Sequence, residues 1–452
     1  MLLRFGTDGI RGVANSELTP EIALVLGRAA ARHLGGAGFI VGSDTRRSSP
    51  MLKAALAAGL AAEGERVIDV GVLPTPGIAW LAARRAQPGV MVSASHNPFA
   101  DNGIKLISAT GTKIPDATER AIEVEIDRLV GLAASIPSDA RIGETVGEVV
   151  EDRDAVSEYA GHLASSVTMP AGRRLRIVCD CGNGAAAAVA PLVLTLLGVD
   201  AETVGDAPDG TNINAGCGAT TPGFIAREVV ERRADLGVAF DGDADRMIAV
   251  DQRGEVVDGD ALLALFAVDL HSRGELDNDA VVATVMSNLG LRRALAAAGI
   301  RLIETPVGDR FVSDALERNG LVLGGEQSGH IVFRRDATTG DGILTGLKLL
   351  ELVARLGRPL GELADAAIER LPQELRNVAV AAPDRLEEAQ AVWEEVATVE
   401  HDLGPSGRVV LRVSGTEPLV RVMVEAESRA AVDAALGRIV AAVERELGPV
   451  VT

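Results

Sequence analysis

Aromatic residues are scarce in this chain of 452 residues, of which they make up 2%. Its cores must therefore be built mainly from Ala, Val, Leu and Ile, and hydrophobic residues reach 47% of the total. At about 150 residues per domain, the length predicts three or four domains. The 50 glycines suit many tight loops between strands and helices.

Cysteine is also scarce. The chain has three cysteines, Cys179, Cys181 and Cys217. Because this number is small and odd, we expect no disulfide framework, and it favours a reducing compartment. The sequence has no apolar run suited to a membrane span, and its N-terminus lacks the pattern of a signal peptide. We therefore expect a cytoplasmic protein without a membrane partner.

Positive charge is in deficit, with 44 Lys and Arg against 64 Asp and Glu and a net charge of -20. Nonspecific nucleic-acid binding needs a basic surface, so we expect no nucleic-acid partner. A small anionic substrate is still compatible with this net charge if arginines make its binding site locally positive. Lysine accounts for only four of the basic residues: Lys53, Lys105, Lys113 and Lys348.

Strand-like and helix-like segments alternate up to residue 370, which predicts α/β units with mixed sheets. After Leu371 the pattern changes to alternating strands and an amphipathic helix. We predict three related α/β domains, at 1–150, 151–246 and 247–370, the third beginning with the strand Met247–Asp251. A smaller C-terminal α+β domain is predicted at 371–452.

The stretch VMVSASHNPFADNGIK, residues 90–105, ends a predicted strand in a polar corner. Asn97 precedes Pro98 and is therefore kept out of the helical region, so the chain turns there. This places Ser95 and His96 at the end of a strand, where α/β proteins bind ligands. A serine that only satisfies a tight turn explains the same pattern.

Three carboxylates, Asp241, Asp243 and Asp245, alternate directly after the apolar run LGVAF. Such crowding is unfavourable unless a cation lies among them, and all-oxygen ligands suit Mg²⁺. Gln252 replaces the twelfth-position Glu of an EF-hand, which excludes that motif. Asp-x-Asp after a strand also fits an aspartyl-phosphate enzyme with Asp241 as nucleophile, and this alternative stays open.

Two later loops have the composition of ligand sites. In GGEQSGH, residues 324–330, glycines let the backbone approach a ligand, and Glu326 and Ser328 suit sugar hydroxyls. His330 in the same loop suits a phosphate or a proton. RVSGTEP, residues 412–418, is predicted at a hairpin tip, where N–H groups and flanking arginines favour phosphate. An ordinary polar turn explains either loop taken alone.

The four loops, in this order, resemble those of the α-D-phosphohexomutase superfamily from end to end. SASHNP is similar to its serine loop, DGDADR to its metal loop, GEQSGH to its sugar loop and RVSGTEP to its phosphate loop. RFGTDGIRG, TPVGDR and Gln327 are most similar to the bacterial branch that acts on glucosamine phosphates. The resemblance implies four domains around a central active-site cleft.

It also implies an isomerase that interconverts glucosamine 6-phosphate and glucosamine 1-phosphate, supplying UDP-N-acetylglucosamine and cell-wall precursors. Ser95 would carry a phosphoryl group, glucosamine 1,6-bisphosphate would be the intermediate and priming compound, and Ser95 with the three aspartates would hold one Mg²⁺. The catalytic neighbours implied are Lys105 (as general base or charge stabiliser), Arg246, Arg11, His96 and His330. The substrate contacts implied are Glu326, Ser328, Asp309, Arg310, Arg412, Ser414, Gly415, Thr416 and Arg421.

Three alternatives to this reading stay open. Glucose and mannose phosphates differ from glucosamine phosphate only at C2, so a phosphoglucomutase or phosphomannomutase fits the same loops. Asp241 could carry the phosphoryl group instead of Ser95. The chain could also bind a sugar phosphate without turnover. The expected partner is a hexosamine phosphate, and the resemblance further implies a homodimer.

Overall fold

The computed structural model describes residues 4–6, 8–131, 140–170, 174–413 and 419–448. Its named strands form four sheets of six, five, four and three strands. The first three sheets are mixed and carry helices, and the fourth is antiparallel. This confirms the predicted fold class of three α/β units and a smaller C-terminal α+β unit.

The first sheet has the order β1-β5-β4-β2-β3-β6, and β5 runs antiparallel to both of its neighbours. Its strands are β1 (Ile10–Val13), β2 (Phe39–Ser43), β3 (Val67–Val72), β4 (Gly89–Val92), β5 (Asp101–Ile107) and β6 (Val149–Glu151). Its helices are α1 (Pro20–Leu34), α2 (Ser49–Ala62), α3 (Thr75–Arg85) and α4 (Asp116–Gly131). Every residue of β2 is buried, as expected for a central strand covered on both faces.

The second sheet has the order β11-β10-β9-β7-β8. Its strands are β7 (Arg176–Asp180), β8 (Asp200–Val204), β9 (Leu236–Phe240), β10 (Met247–Asp251) and β11 (Val256–Val257). The helices of this unit are α5 (Ala155–Ser165), α6 (Ala186–Leu196) and α7 (Pro222–Arg232).

The third sheet has the order β13-β12-β14-β15. Its strands are β12 (Ala280–Thr284), β13 (Arg301–Thr305), β14 (Leu323–Gly325) and β15 (Ile331–Phe333). Its helices are α8 (Gly259–Ser272), α9 (Leu289–Ala297), α10 (Asp309–Asn319), α11 (Gly342–Leu356) and α12 (Leu360–Ala367).

The C-terminal sheet has the order β16-β18-β17. Its strands are β16 (Gln373–Ala379), β17 (Arg408–Val413) and β18 (Leu419–Glu425), and its helices are α13 (Gln390–Leu403) and α14 (Arg429–Leu447). Short 3-10 helices occur at Gly143–Thr145, Asp277–Asp279, Pro383–Glu388 and Gly404–Ser406. This unit has an apolar core of its own, whereas one continuous core joins parts of the other three.

The strand Met247–Asp251 was wrongly predicted to begin the third unit. It pairs antiparallel with β9 over all five residues, from Phe240 opposite Met247 to Leu236 opposite Asp251. The loop between β9 and β10 reverses the chain as a hairpin. Two successive strands without a helix between them are hard to recognise from hydrophobic periodicity in a chain that otherwise alternates strands and helices. The second sheet therefore extends to Val257, and the other predicted boundaries stay predictions.

No helix within the described ranges is both long and apolar enough to cross a lipid bilayer.

Tyr159, in α5, joins the second unit to its two neighbours. Its ring lies 6.0 Å from that of Trp80 in α3, and its hydroxyl donates a 2.5 Å hydrogen bond to Oδ2 of Asp341. Asp341 also caps α11 by accepting from the N–H of Leu344. The next residue, Gly342, donates its N–H to the carbonyl of Ala244 in the β9–β10 loop. The contact therefore helps to hold that loop in place.

We expect Tyr159→Phe to lower the free energy of unfolding by about 1–3 kcal/mol, because a buried carboxylate oxygen loses its partner. The ring packing on Trp80 is kept, so the change isolates the hydrogen bond. Urea denaturation of the intact chain, followed by tryptophan fluorescence, measures the shift. Val230→Ala, at an exposed side chain, is the control. A Tyr159→Phe midpoint equal to that of the control would contradict the assignment.

Candidate active site

Ser95 stands just beyond the carboxyl end of β4, in the left-handed backbone region with φ 51°. This conformation is uncommon for a residue with a Cβ atom. The Ser95 hydroxyl is buried and donates a 2.6 Å hydrogen bond to Oδ2 of Asp241, and Nδ1 of His96 lies 3.3 Å from it. The fold thus brings together the serine corner and the acidic loop that were predicted separately.

Asp241, Asp243 and Asp245 occupy the β9–β10 hairpin loop and are all buried. Each offers an oxygen within 4.8 Å of the other two. Oδ1 of Asp243 and Oδ1 of Asp245 are buried without a hydrogen-bond partner. Converging, unpartnered carboxylate oxygens fit a hard divalent cation such as Mg²⁺.

Crowding moves the pKa values of these carboxyl groups apart. Burial, with the charges of Asp245 and Asp243, raises the pKa of Asp241 well above its usual value. Burial and Asp243 also raise the pKa of Asp245. Burial acts in the same direction on Asp243, but Lys105 and Thr75 outweigh it and lower its pKa. Asp241 and Asp245 therefore lack charge compensation that a cation can supply.

Lys105 reaches this cluster from β5. Its Nζ lies 3.0 Å from Oδ2 of Asp243, 2.9 Å from Oδ2 of Asp8 and 3.8 Å from Oδ2 of Asp245. Burial lowers the pKa of Lys105, but the three carboxylates outweigh burial and the pKa is raised. Of the two roles predicted for this lysine, charge stabiliser fits the arrangement better than general base.

Asp8 and Thr75 contribute to the site but were not predicted. Asp8 binds both Lys105 and Arg11. Thr75 follows β3 and donates to Oδ2 of Asp243 over 2.7 Å. Its position just past a strand was a usable signal, because polar residues at the carboxyl ends of strands line the ligand site. Asp8 lies within RFGTDGIRG, and nothing in that motif alone marks it as a partner of Lys105.

Positive charge surrounds His96. Burial, followed by Arg246 and Arg11, lowers the pKa of His96 to about 4, so its imidazole is neutral at pH 7. Burial lowers the pKa of Arg246, but Asp245 and Asp241 outweigh it and the pKa is raised. The backbone N–H of Arg246 donates to Oδ1 of Asp241 over 3.2 Å. The guanidinium lies beside the acidic loop, with its Nε 3.8 Å from Oδ1 of Asp245 and without a hydrogen-bond partner.

The predicted sugar loop connects β14 to β15 and contacts the acidic loop. Nε2 of His330 accepts from the N–H of Gly340 over 3.1 Å, which leaves the ring proton on Nδ1. That Nδ1 lies 3.7 Å from Oδ2 of Asp245. Oε1 of Glu326 accepts from the N–H of Gly308 over 3.0 Å, and Ser328 is exposed.

Arg310 was predicted as a substrate contact, but its guanidinium forms an ion pair with Asp116 of α4. This pair joins the third unit to the first. Asp309 accepts the backbone N–H of Arg310 over 2.7 Å and is half-buried. A direct role of Arg310 on substrate therefore requires the ion pair to open.

Arg412 and Arg421 lie directly opposite each other on β17 and β18. Side chains in this relation share one face of the sheet. Burial and then Arg421 lower the pKa of Arg412, while Glu326 of the sugar loop raises it. Two neighbouring guanidinium groups suit a phosphate, which can accept from both. The predicted contacts Ser414, Gly415 and Thr416 lie outside the described residues.

The chain matches, in order, domains I to IV of phosphoglucomutase/phosphomannomutase, at residues 2–130, 157–254, 258–371 and 375–442. It belongs to this family.

A phosphoglucosamine mutase of Desulforudis audaxviator is 50% identical over 430 residues, which cover 94% of each chain. A phosphoglucomutase/phosphomannomutase family structure from Burkholderia thailandensis is 26% identical with a TM-score of 0.83, over 99% of this chain and 98% of that one. Aspergillus fumigatus N-acetylphosphoglucosamine mutase in complex with GlcNAc-6P and magnesium is 19% identical and shares the fold with a TM-score of 0.66, over 99% and 96%.

We expect Asp245→Asn to raise the melting temperature in EDTA, because burial and Asp243 make the Asp245 charge unfavourable in the folded, metal-free chain. The same change removes a ligand and should weaken Mg²⁺ binding by at least about tenfold. Thermal denaturation in EDTA and calorimetric titration with MgCl₂ measure the two effects. Asp433→Asn, at an exposed carboxylate, is the control. A lower melting temperature in EDTA with unchanged Mg²⁺ affinity would contradict the assignment.

Proposed function

We propose that the chain is a phosphoglucosamine mutase: a cytoplasmic isomerase that interconverts glucosamine 6-phosphate and glucosamine 1-phosphate through a phosphoryl group on Ser95. The observation that supports this most is the 2.6 Å hydrogen bond from Ser95 Oγ to Asp241, which places a hydroxyl at the edge of the acidic cluster. The Desulforudis audaxviator relative has that name. A homodimer, which only the resemblance implies, is part of the proposal.

Mg²⁺ would be held by Asp241, Asp243, Asp245 and the phosphoryl group on Ser95. The unpartnered oxygens of Asp243 and Asp245 support this set of ligands. The Aspergillus fumigatus protein was solved in complex with magnesium. Bound Mg²⁺ supplies positive charge that stabilises a phosphoryl group in transfer.

The reaction consists of two transfers. In the first, the bond between phosphorus and Ser95 Oγ breaks, phosphorus bonds to the free hydroxyl oxygen of the sugar monophosphate, and the hydroxyl proton passes to Ser95 Oγ, giving the 1,6-bisphosphate. The bisphosphate then turns round. In the second, the bond between the other phosphorus and its sugar oxygen breaks, that phosphorus bonds to Ser95 Oγ, and the serine proton passes to the sugar oxygen. Lys105, Arg246 and Arg11 supply fixed positive charge where the group moves. Because the serine must begin phosphorylated, the bisphosphate also primes the enzyme.

The sugar and the distal phosphate would be held by the third and fourth units. Arg412 and Arg421, with Ser414, Gly415 and Thr416, would bind the phosphate that is not reacting. Glu326, Ser328, Asp309 and His330 would face the sugar, with Arg310 beside them. Oε1 of Glu326 accepts from the N–H of Gly308, the residue that precedes Asp309, and carboxylates facing the sugar favour the ammonium of glucosamine at C2 over a neutral hydroxyl.

We expect kcat/KM for glucosamine 6-phosphate to exceed those for glucose 6-phosphate and mannose 6-phosphate by at least about tenfold. Steady-state rates on the three sugars, measured in Mg²⁺ with a 1,6-bisphosphate activator, test this. Asp309→Asn should reduce the preference by slowing only the glucosamine reaction. Equal or faster turnover of glucose 6-phosphate would favour a phosphoglucomutase instead.

We expect ³²P-labelled glucose 1,6-bisphosphate to label the protein on Ser95. The label should survive acid and be lost in base, because a serine phosphate is stable to acid whereas an aspartyl phosphate is labile. Ser95→Ala should abolish labelling and turnover, whereas Ser16→Ala, at an exposed serine, should leave both intact. Labelling of Ser95→Ala that disappears on Asp241→Asn would replace Ser95 by Asp241 as the carrier.

A further inference from the structure

Arg46 is one of the largest fully buried side chains of the described structure and belongs to no predicted site. It follows β2, at the carboxyl end of the first sheet, beside the serine corner. Its guanidinium donates to five acceptors, which matches its five N–H hydrogens. Nε donates to Oδ2 of Asp44 over 2.8 Å. The other four acceptors are the backbone carbonyl oxygens of Ser95, Asn97, Pro98 and Asp101.

Both polar backbone atoms of Ser95 are held by this arrangement. Its carbonyl accepts from Nη2 of Arg46 over 2.8 Å and from Nδ2 of Asn214 over 2.9 Å. Its N–H donates over 2.9 Å to Oγ of Ser93, whose hydroxyl donates to Asp44 over 2.6 Å. The unusual left-handed conformation of Ser95 is therefore fixed from both sides.

The direction of the carbonyls has an electrostatic consequence. Four carbonyl oxygens of one loop accept from a single buried guanidinium, which holds them in place and offsets their partial negative charge. A phosphoryl group on Ser95 is itself strongly negative. Carbonyls that turned toward it would repel it, and Ser95 Oγ would leave its position beside Asp241.

We propose that Arg46 is a positioning residue for phosphoryl transfer, which holds the loop 95–101 so that Ser95 Oγ meets both the metal ligands and the substrate. This inference rests on the proposed role of Ser95 as phosphoryl carrier. Arg46 is buried and its guanidinium is bonded within the protein, so it would act through Ser95 and not on the substrate. Lysine offers only three donors and no planar fork, so it cannot replace the guanidinium.

The test compares Arg46→Lys and Arg46→Ala with Arg47→Ala, the exposed neighbour, as the matched control. We expect Arg46→Lys to lower kcat about 100-fold, as small displacements of reacting groups do, and to leave KM within about twofold because substrate contacts are untouched. Millimolar guanidinium chloride should partly restore kcat in Arg46→Ala and leave Arg47→Ala unchanged. Intact-mass measurement of phosphorylation by glucose 1,6-bisphosphate should show slower loading of both Arg46 variants.

A wild-type kcat in Arg46→Lys would overturn the inference. So would a loss of kcat in Arg46→Ala that matches the fall in its melting temperature and is not rescued by guanidinium. If neither Arg46 variant folds, Asn214→Ala decides the matter: a reduced kcat at constant KM supports positional control of the Ser95 carbonyl, and wild-type kcat contradicts it. Ser95→Ala is measured alongside. An active Ser95→Ala rejects the carrier itself, whereas an inactive Ser95→Ala with a fully active Arg46→Lys rejects only Arg46.

Discussion

Electrostatic repulsion among Asp241, Asp243 and Asp245 is the constraint on which the site depends. Three carboxylates buried this close are unfavourable without positive charge. Of these three aspartates, Asp243 lies nearest to Lys105, and Asp245 lies beside Arg246. The remaining excess of negative charge fits the proposed divalent cation.

The same cluster explains why the units must pack closely. The acidic loop belongs to the second sheet, whereas Ser95, Lys105 and Thr75 come from the first. A Cβ atom on Gly242 would lie 2.5 Å from the carbonyl oxygen of Ser95, so only glycine allows the two loops this approach. One continuous apolar cluster joins parts of the first three units, while the C-terminal unit keeps a separate core. The two units that supply Ser95 and the acidic loop therefore share core packing.

Sequence patterns predicted the four units and the loops at their strand ends, because both depend on local periodicity and on turn residues such as Pro98. They did not predict the hairpin partner of Met247–Asp251, since pairing is a long-range property. Nor did they reveal Arg46, Asp8 or the Arg310 ion pair. A buried arginine that serves four carbonyls has no local signature: its partners lie about 50 residues along the chain and become its neighbours only in the folded sheet.

Diffraction from crystals of the phosphorylated chain with Mn²⁺ in place of Mg²⁺ tests the central claim most directly, because anomalous scattering locates the ion. We expect one ion bound by an oxygen from each of Asp241, Asp243 and Asp245 and by an oxygen of a phosphoryl group on Ser95. An ion bound elsewhere, or a phosphoryl group on Asp241 with Ser95 unmodified, would contradict it.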